Sequence, residues 1–367
     1  HLGSSPSFCY VLLLDTPPPG LRMRITAVVC IASRLLLLSC TALRLVAPHA
    51  DCGLGCQTGS TLVTVETRGL EKEAVWPAGS KSYWKKAAVI NYLYAKQHGH
   101  DFLYIHVDHI PEPQQAWTAS ALRPHILEIH VSQYASDTNK WGVYLDSDAV
   151  VAKSDIPLES LYEDIAQQIC KGTLCDDSIG LILELDAGLG PARLNTGVMV
   201  FAYNNKTTRF LQRWVDAQMK PENRELLARW PADQRVFEKM VGVPDKSLHN
   251  VGIWDAGLPT RIGIVRPHTM ASPWAKYISH LWSGWGWWRR ETVFDQLLGD
   301  LGIATVPSFN RVLDEINNGS SCIRAELTAE AQQLFGTVGL DKASLTYTRE
   351  AILRGLTRLG QEGAIFK

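Results

Sequence analysis

Trp141-Gly142-Val143-Tyr144-Leu145-Asp146-Ser147-Asp148-Ala149-Val150-Val151 is the stretch that decides the fold. An apolar run ends in two carboxylates one residue apart and is followed by a second strand-like run. In extended backbone, side chains two residues apart share a face, so Asp146 and Asp148 would point the same way. At the exit of a buried strand, two unpaired ionised carboxylates are costly. A divalent cation such as Mg²⁺ or Mn²⁺, with its preference for hard oxygen ligands, would offset that cost and keep positions open for a substrate. A helix cap or a solvated acidic pair is the plainer alternative. The apolar strand before the doublet and the run after it favour the metal.

Working outward, Thr61 to Val65 reads as a strand. Ser80 or Ser82 then starts an amphipathic helix that Gly99 ends, and Phe102 to Val107 reads as a second strand. Ala119 to Tyr134 has helical character despite Pro124, and Trp141 to Leu145 is the third strand. Ile179 to Glu184 and Gly197 to Phe201 are further strands, and Phe210 to Gln218 and Asp233 to Met240 further helices. From Ile253 to Arg290 aromatics, Gly and Pro indicate loops and short strands. Helix resumes at Glu291 and is interrupted at Asn317-Asn318-Gly319-Ser320. Strands alternating with helices specify an α/β fold, a mostly parallel sheet flanked by helices. In such sheets ligands sit beyond the carboxyl ends of the strands, where the acidic doublet falls.

With 367 residues, 46% of them hydrophobic and 20% charged, the chain is long enough for one large domain or two smaller ones. Its formal net charge of −1 gives no basic footprint for nucleic acid. Met23 and Arg24 precede the largely apolar stretch 26–46, about as long as a bilayer crossing, although Arg34 and Arg44 interrupt it. It reads as a secretory signal or a single N-terminal membrane anchor, with the compartment expected to be the Golgi lumen and the protein type II. Cys52/Cys56 and Cys170/Cys175 are close enough in sequence for short-loop disulfides, leaving Cys322 odd; zinc is the less favoured reading of those spacings. Asn205-Lys206-Thr207 and Asn318-Gly319-Ser320 are glycosylation triplets. The expected organisation is a signal or anchor with linker over 1–57, a catalytic domain over 58–310 and a helical tail over 311–367.

Five stretches, NYLYAKQHGHDFLYI (91–105), WGVYLDSDAVV (141–151), LNTGVMVF (194–201), ADQRVF (232–237) and SHLWSG (279–284), occur in an order and at a spacing that resembles GT-A fold nucleotide-sugar glycosyltransferases. They are most similar to glycosyltransferase family 34, which includes galactosyl-, mannosyl- and xylosyltransferases. The resemblance spans roughly residues 61 to 290. The D-x-D strand alone is shared with several other families, whereas the ordered set is more specific.

The resemblance implies that Asp146, Asp148 and His280 hold Mn²⁺ or Mg²⁺ against the diphosphate of a nucleoside diphosphate sugar. An imidazole beside two carboxylates suits Mn²⁺ better. It places Thr64 and Ser147 near the donor's base or ribose, and Asn195, Thr196 and Gly197 against the donor sugar. Asp233 and Gln234 would act at the transferred sugar, although an Asp at a helix start also serves the helix dipole. Where the family carries a Lys in the helix before the acidic strand, this chain offers Arg123, which can also neutralise phosphate. The family's Gly-Cys after the histidine is Gly284-Trp285 here. The activity implied is sugar transfer to an acceptor hydroxyl of a glycan with retention of configuration. Trp282, Trp285, Trp287 and Trp288 could stack on acceptor rings or belong to the core. The competing readings are a non-catalytic carbohydrate-binding relative and a metal-dependent phosphohydrolase, which would place its acidic pair nearer the first strand.

Overall fold

A computed structural model describes residues 60–74, 82–108, 115–135, 141–170, 178–186, 193–227, 232–242, 251–281, 287–319 and 321–326. The strands are β1 (Thr61–Glu66), β2 (Asp101–Asp108), β3 (Trp141–Leu145), β4 (Ala149–Val151), β5 (Ile179–Asp186), β6 (Arg193–Ala202), β7 (Gly252–Trp254), β8 (Arg261–Val265), β9 (Ile278–His280) and β10 (Cys322–Glu326). The helices are α1 (Tyr83–His98), α2 (Gln115–Tyr134), α3 (Leu158–Ile169), α4 (Asn205–Met219), α5 (Arg224–Leu227), α6 (Ala232–Val241), α7 (Trp287–Asp300) and α8 (Val306–Asn318).

Eight strands form one sheet in the order β10-β2-β1-β3-β6-β5-β8-β7. β10, β2, β1 and β3 run parallel, and β5 and β8 are parallel to each other; β6 and β7 are antiparallel to their neighbours. Alternation along the strands divides the core between the two faces. Val63, Val65, Tyr144, Met199 and Phe201 pack with α2, α4 and α6, while Leu62, Val143, Leu145, Val198 and Val200 pack with α1, α3, α7 and α8. The mostly parallel, helix-flanked sheet expected from the strand–helix alternation is the one observed.

The local signals act where the sequence places them. Gly99 ends α1 in the left-handed region at φ 69°, its N–H donating to the Ala95 carbonyl. Asn204 caps α4 by accepting from the Thr207 N–H, and Thr305 and Ser308 form a reciprocal capping box on α8. Pro124 lies inside α2 without ending it. Helix α8 crosses residue 310, and β10 beyond it pairs in parallel with β2, so part of the stretch read as a helical tail belongs to the sheet.

The structure also corrects the expected localisation. Among the described residues no helix is long and apolar enough to cross a membrane, which overturns the placement as a type II membrane protein of the Golgi lumen. The stretch 26–46 itself lies outside the described residues, as do Cys52, Cys56 and Cys175. Cys170 is in a disulfide. In the triplet at 205–207, the Thr207 hydroxyl is buried and donates to the Gly180 carbonyl.

Candidate metal and diphosphate site

The site forms where β3 ends. After Leu145 the chain does not stay extended: the Ala149 N–H donates to the Asp146 carbonyl at 2.8 Å, closing a turn over Ser147 and Asp148. The two carboxylates therefore converge because of the turn, not because of strand alternation. The turn delivers the chain into β4, which pairs antiparallel with β9 in a separate two-stranded sheet, with Ala149 opposite His280. This pairing sets His280 beside the doublet.

His280 Nε2 lies 3.1 Å from Asp148 Oδ1 and 3.8 Å from Asp146 Oδ2. One ligand atom from each of Asp146, Asp148 and His280 falls within 4.8 Å of the others, so the three could hold a divalent cation. Two carboxylates and an imidazole form a donor set that Mn²⁺ can take, the carboxylates suiting a hard cation and the imidazole a transition metal. Gly197 keeps this corner open. A Cβ there would lie 2.1 Å from His280 Cε1 and 2.7 Å from Asp146 Oδ2, closer than real Cβ contacts allow.

Each acidic ligand has its own cationic support. Asp146 accepts from the Tyr144 hydroxyl at 2.7 Å and pairs with Arg123 Nη2 at 3.2 Å. Arg290, at the start of α7, places Nη1 3.4 Å from Asp148 Oδ2 and its guanidinium 3.6 Å over the Tyr83 ring. Burial pushes the Asp146 carboxyl up against the pull of Arg123. For Asp148, burial is overcome by His280, Arg290 and Arg68, which hold it below its usual value.

Arg123 is buried, with Nε 3.4 Å from Asp233 Oδ2, a further bond donated to the Thr196 carbonyl, and its guanidinium over the Tyr144 ring. Its guanidinium thus binds protein groups and joins Asp146 to Asp233 beneath the metal corner. Removing one member of a buried charged cluster typically costs about 3–5 kcal/mol. Arg123→Met is expected to lose stability of that order by urea denaturation in EDTA, and an unchanged midpoint would contradict this role.

Burial raises the Asp233 carboxyl to about 6 from an ordinary 3.8, against the attraction of Arg123. A carboxyl raised in the folded state holds its proton more tightly there than in the unfolded chain. Stability from this group is therefore full below the ordinary value and falls as pH rises from about 4 through about 6. In EDTA, the stability difference between wild type and Asp233→Asn should shift across that window and flatten above it; a difference constant from pH 4 to 7 would contradict the raised value.

The other residues singled out in the sequence take varied positions. Ser147 Oγ accepts from Arg68 Nη2 at 3.0 Å. The Asn195 amide is engaged by backbone, accepting from the Gly197 N–H at 2.8 Å and donating to the Ala271 carbonyl at 3.3 Å. Thr196 is buried and offers its carbonyl to Arg123. The Gln234 amide donates along α6 to Glu238 at 3.4 Å. Thr64 is buried within β1, two residues before its carboxyl end. Trp282 and Trp285 lie outside the described residues.

Sequence reasoning missed Arg68 and Arg290. Arg68 follows β1, forms an ion pair with buried Glu66 and lies over both the Tyr83 and Trp84 rings. Although burial opposes it, Arg68 holds the Glu66 carboxyl below its ordinary value. The position of Glu66-Thr67-Arg68 at a carboxyl strand end was a usable signal for Arg68. Arg290 had none, because its contact depends on how α7 packs.

No protein-family model matches this sequence, and no curated protein matches it. Among solved structures, a glycosyltransferase involved in glycosylation of the major capsid of PBCV-1 is similar with a TM-score of 0.43 at 16% identity, over 65% of this chain and 98% of its own. The galactosyltransferase LgtC, in complex with donor and acceptor sugar analogs, gives 0.33 at 13% identity, over 66% of this chain and 95% of its own. A Drosophila β1,4-galactosyltransferase 7 mutant in complex with manganese, UDP-Gal and xylobiose gives 0.30 at 11% identity, over 62% of this chain and 72% of its own. At these scores the likenesses leave the chemistry to be argued from the site.

Proposed function

We propose that this chain is a metal-dependent glycosyltransferase of the GT-A type, moving a sugar from a nucleoside diphosphate sugar to an acceptor hydroxyl of a glycan. The observation that carries this reading is the convergence of Asp146, Asp148 and His280 at the carboxyl end of β3, in a corner kept open by Gly197. A bound divalent cation, Mn²⁺ by the donor set, would supply Lewis-acid stabilisation of the leaving diphosphate. Arg290 beside Asp148 and Arg68 beside Ser147 put two guanidiniums next to the corner, where a diphosphate would accept from them. Arg123 fixes Asp146, and Asp233 adds a carboxyl that would face positive charge developing on the sugar.

A phosphohydrolase is less well supported. Two-metal hydrolytic sites need a second cluster of ligands, and among the described residues only this one group qualifies. A non-catalytic relative would be expected to lack a ligand, yet all three are present. The test is incubation with a panel of UDP- and GDP-sugars, Mn²⁺ and candidate saccharides. Release of nucleoside diphosphate that EDTA abolishes supports the reading. Release of inorganic phosphate instead, or no turnover of any donor, overturns it.

A further inference from the structure

Between β8 and β9 the chain runs Arg266-Pro267-His268-Thr269-Met270-Ala271-Ser272-Pro273-Trp274-Ala275-Lys276-Tyr277, and this loop is held unusually firmly. His268 sits at φ 68°, the one non-glycine residue in the left-handed region among the described residues. The buried carboxylate of Glu184, just after a register shift in β5, accepts the backbone N–H groups of His268 at 2.8 Å and Ala271 at 2.9 Å, and that of Met270 as well. Backbone bonds from Lys276 to His268 and from Tyr277 to Thr269 close the loop on itself.

This rigid loop displays Trp274, 64% exposed and the most exposed large apolar side chain among the described residues. Its ring meets His268 edge-on, with centroids 6.1 Å apart at 79°. His268 Nδ1 lies 2.8 Å from Ser272 Oγ, which fixes the imidazole and leaves Nε2 as its other polar atom. A strained backbone persists only where its surroundings over-determine it, and here three bonds to a buried acid do so. The restraints act on the loop backbone and on His268, so the exposed indole is carried by a fixed backbone beside a fixed imidazole.

The loop is also part of the metal corner's support. The Ser272 carbonyl accepts from the His280 N–H at 3.2 Å, and the Ala271 carbonyl accepts from Asn195, whose amide oxygen holds Gly197. Trp274 is two residues from Ser272, so their Cα atoms are at most about 7 Å apart.

We propose that Trp274 and His268 form a stacking platform for a pyranose ring of the acceptor, one loop away from the metal corner. The proposal rests on the glycosyltransferase reading for its location. The indole face, negative in its quadrupole, suits the C–H face of a pyranose, while the imidazole supplies a polar atom to ring hydroxyls. A rigid aromatic side chain also costs little entropy on binding.

The test is equilibrium binding of lactose, cellobiose, maltose and xylobiose to the full chain in EDTA, followed by saturation-transfer NMR and tryptophan fluorescence. At least one disaccharide should bind; Trp274→Ala should weaken it about tenfold or more, and Trp274→Phe should restore most of it. No binding by any of the four, or equal binding by Trp274→Ala, overturns the platform. Binding that depends on Trp274 in a protein that turns over no nucleotide sugar would support the platform and strike the transferase reading alone.

Discussion

Asp148→Ala is expected to lower metal-dependent release of nucleoside diphosphate by about 10³-fold or more, in line with the several kcal/mol a Lewis-acid cation contributes to a developing anion. Asp148 lies between two of the site's cationic or polar side chains: His280 Nε2 is 3.1 Å away and Arg290 Nη1 3.4 Å away. Removing its carboxylate would take away one of the proposed cation ligands and a partner of both groups. Of the two, His280 keeps Asp146 as a carboxylate neighbour, at 3.8 Å. Mn²⁺ affinity, read by electron paramagnetic resonance, should fall together with turnover, while circular dichroism stays that of the wild type. Wild-type turnover in this variant would remove the acidic doublet from the mechanism.

The second large effect is expected from adding one methyl group. In Gly197→Ala the new Cβ would lie 2.1 Å from His280 Cε1, 2.7 Å from Asp146 Oδ2 and 2.8 Å from His280 Nε2. Neither neighbour can yield easily. His280 is fixed by pairing with Ala149 and by its N–H to Ser272, and Asp146 is held by Tyr144 and Arg123. Relief must come from turning the imidazole out of the corner or from separating β6 from β3, where the Asp146 N–H donates to the Gly197 carbonyl at 2.7 Å. Overpacking of this kind costs about 1–3 kcal/mol of stability. Loss of ligand geometry should cost about 10–100-fold in Mn²⁺ affinity, as disturbing the support of metal ligands does elsewhere. A Gly197→Ala protein that binds Mn²⁺ like wild type would show that the corner is not the cation site.

The sequence was most legible where one residue pattern had one physical solution. The run Trp141–Leu145 is an unbroken apolar segment with an acidic stop, and β3 occupies those same residues. The helix Leu158–Ile169 is hard to read from the sequence, although Leu158, Leu161, Ile165 and Ile169 are spaced for one buried face. Its start follows Pro157 with no side-chain cap, so the usual opening signal is missing. At the site, the triad was legible only through the order of distant motifs, because nothing near His280 in sequence is acidic. The support for it was not. Asn195 has the chemistry for a sugar hydroxyl, but its buried amide is taken up by the Gly197 N–H and the Ala271 carbonyl. Arg123 looked suited to a phosphate, but a guanidinium in the middle of α2 is enclosed by Tyr144, Asp146 and Asp233. Side-chain type limits what a residue can bind; packing decides which of those partners it meets.

The pairing of β4 with β9 joins parts of the chain 132 residues apart, counted from Asp148 to His280. During synthesis, the acidic doublet leaves the ribosome long before its histidine exists. A cation arriving early would meet two carboxylates and water, a weak and unselective site. Only when the last third of the chain docks does the imidazole close the set. Tight cation binding would thus be a property of the finished molecule, and an ion bound there would stabilise that state over every incompletely folded one by mass action. Occupancy of the corner would then report that the chain has been made through to β9 and correctly assembled.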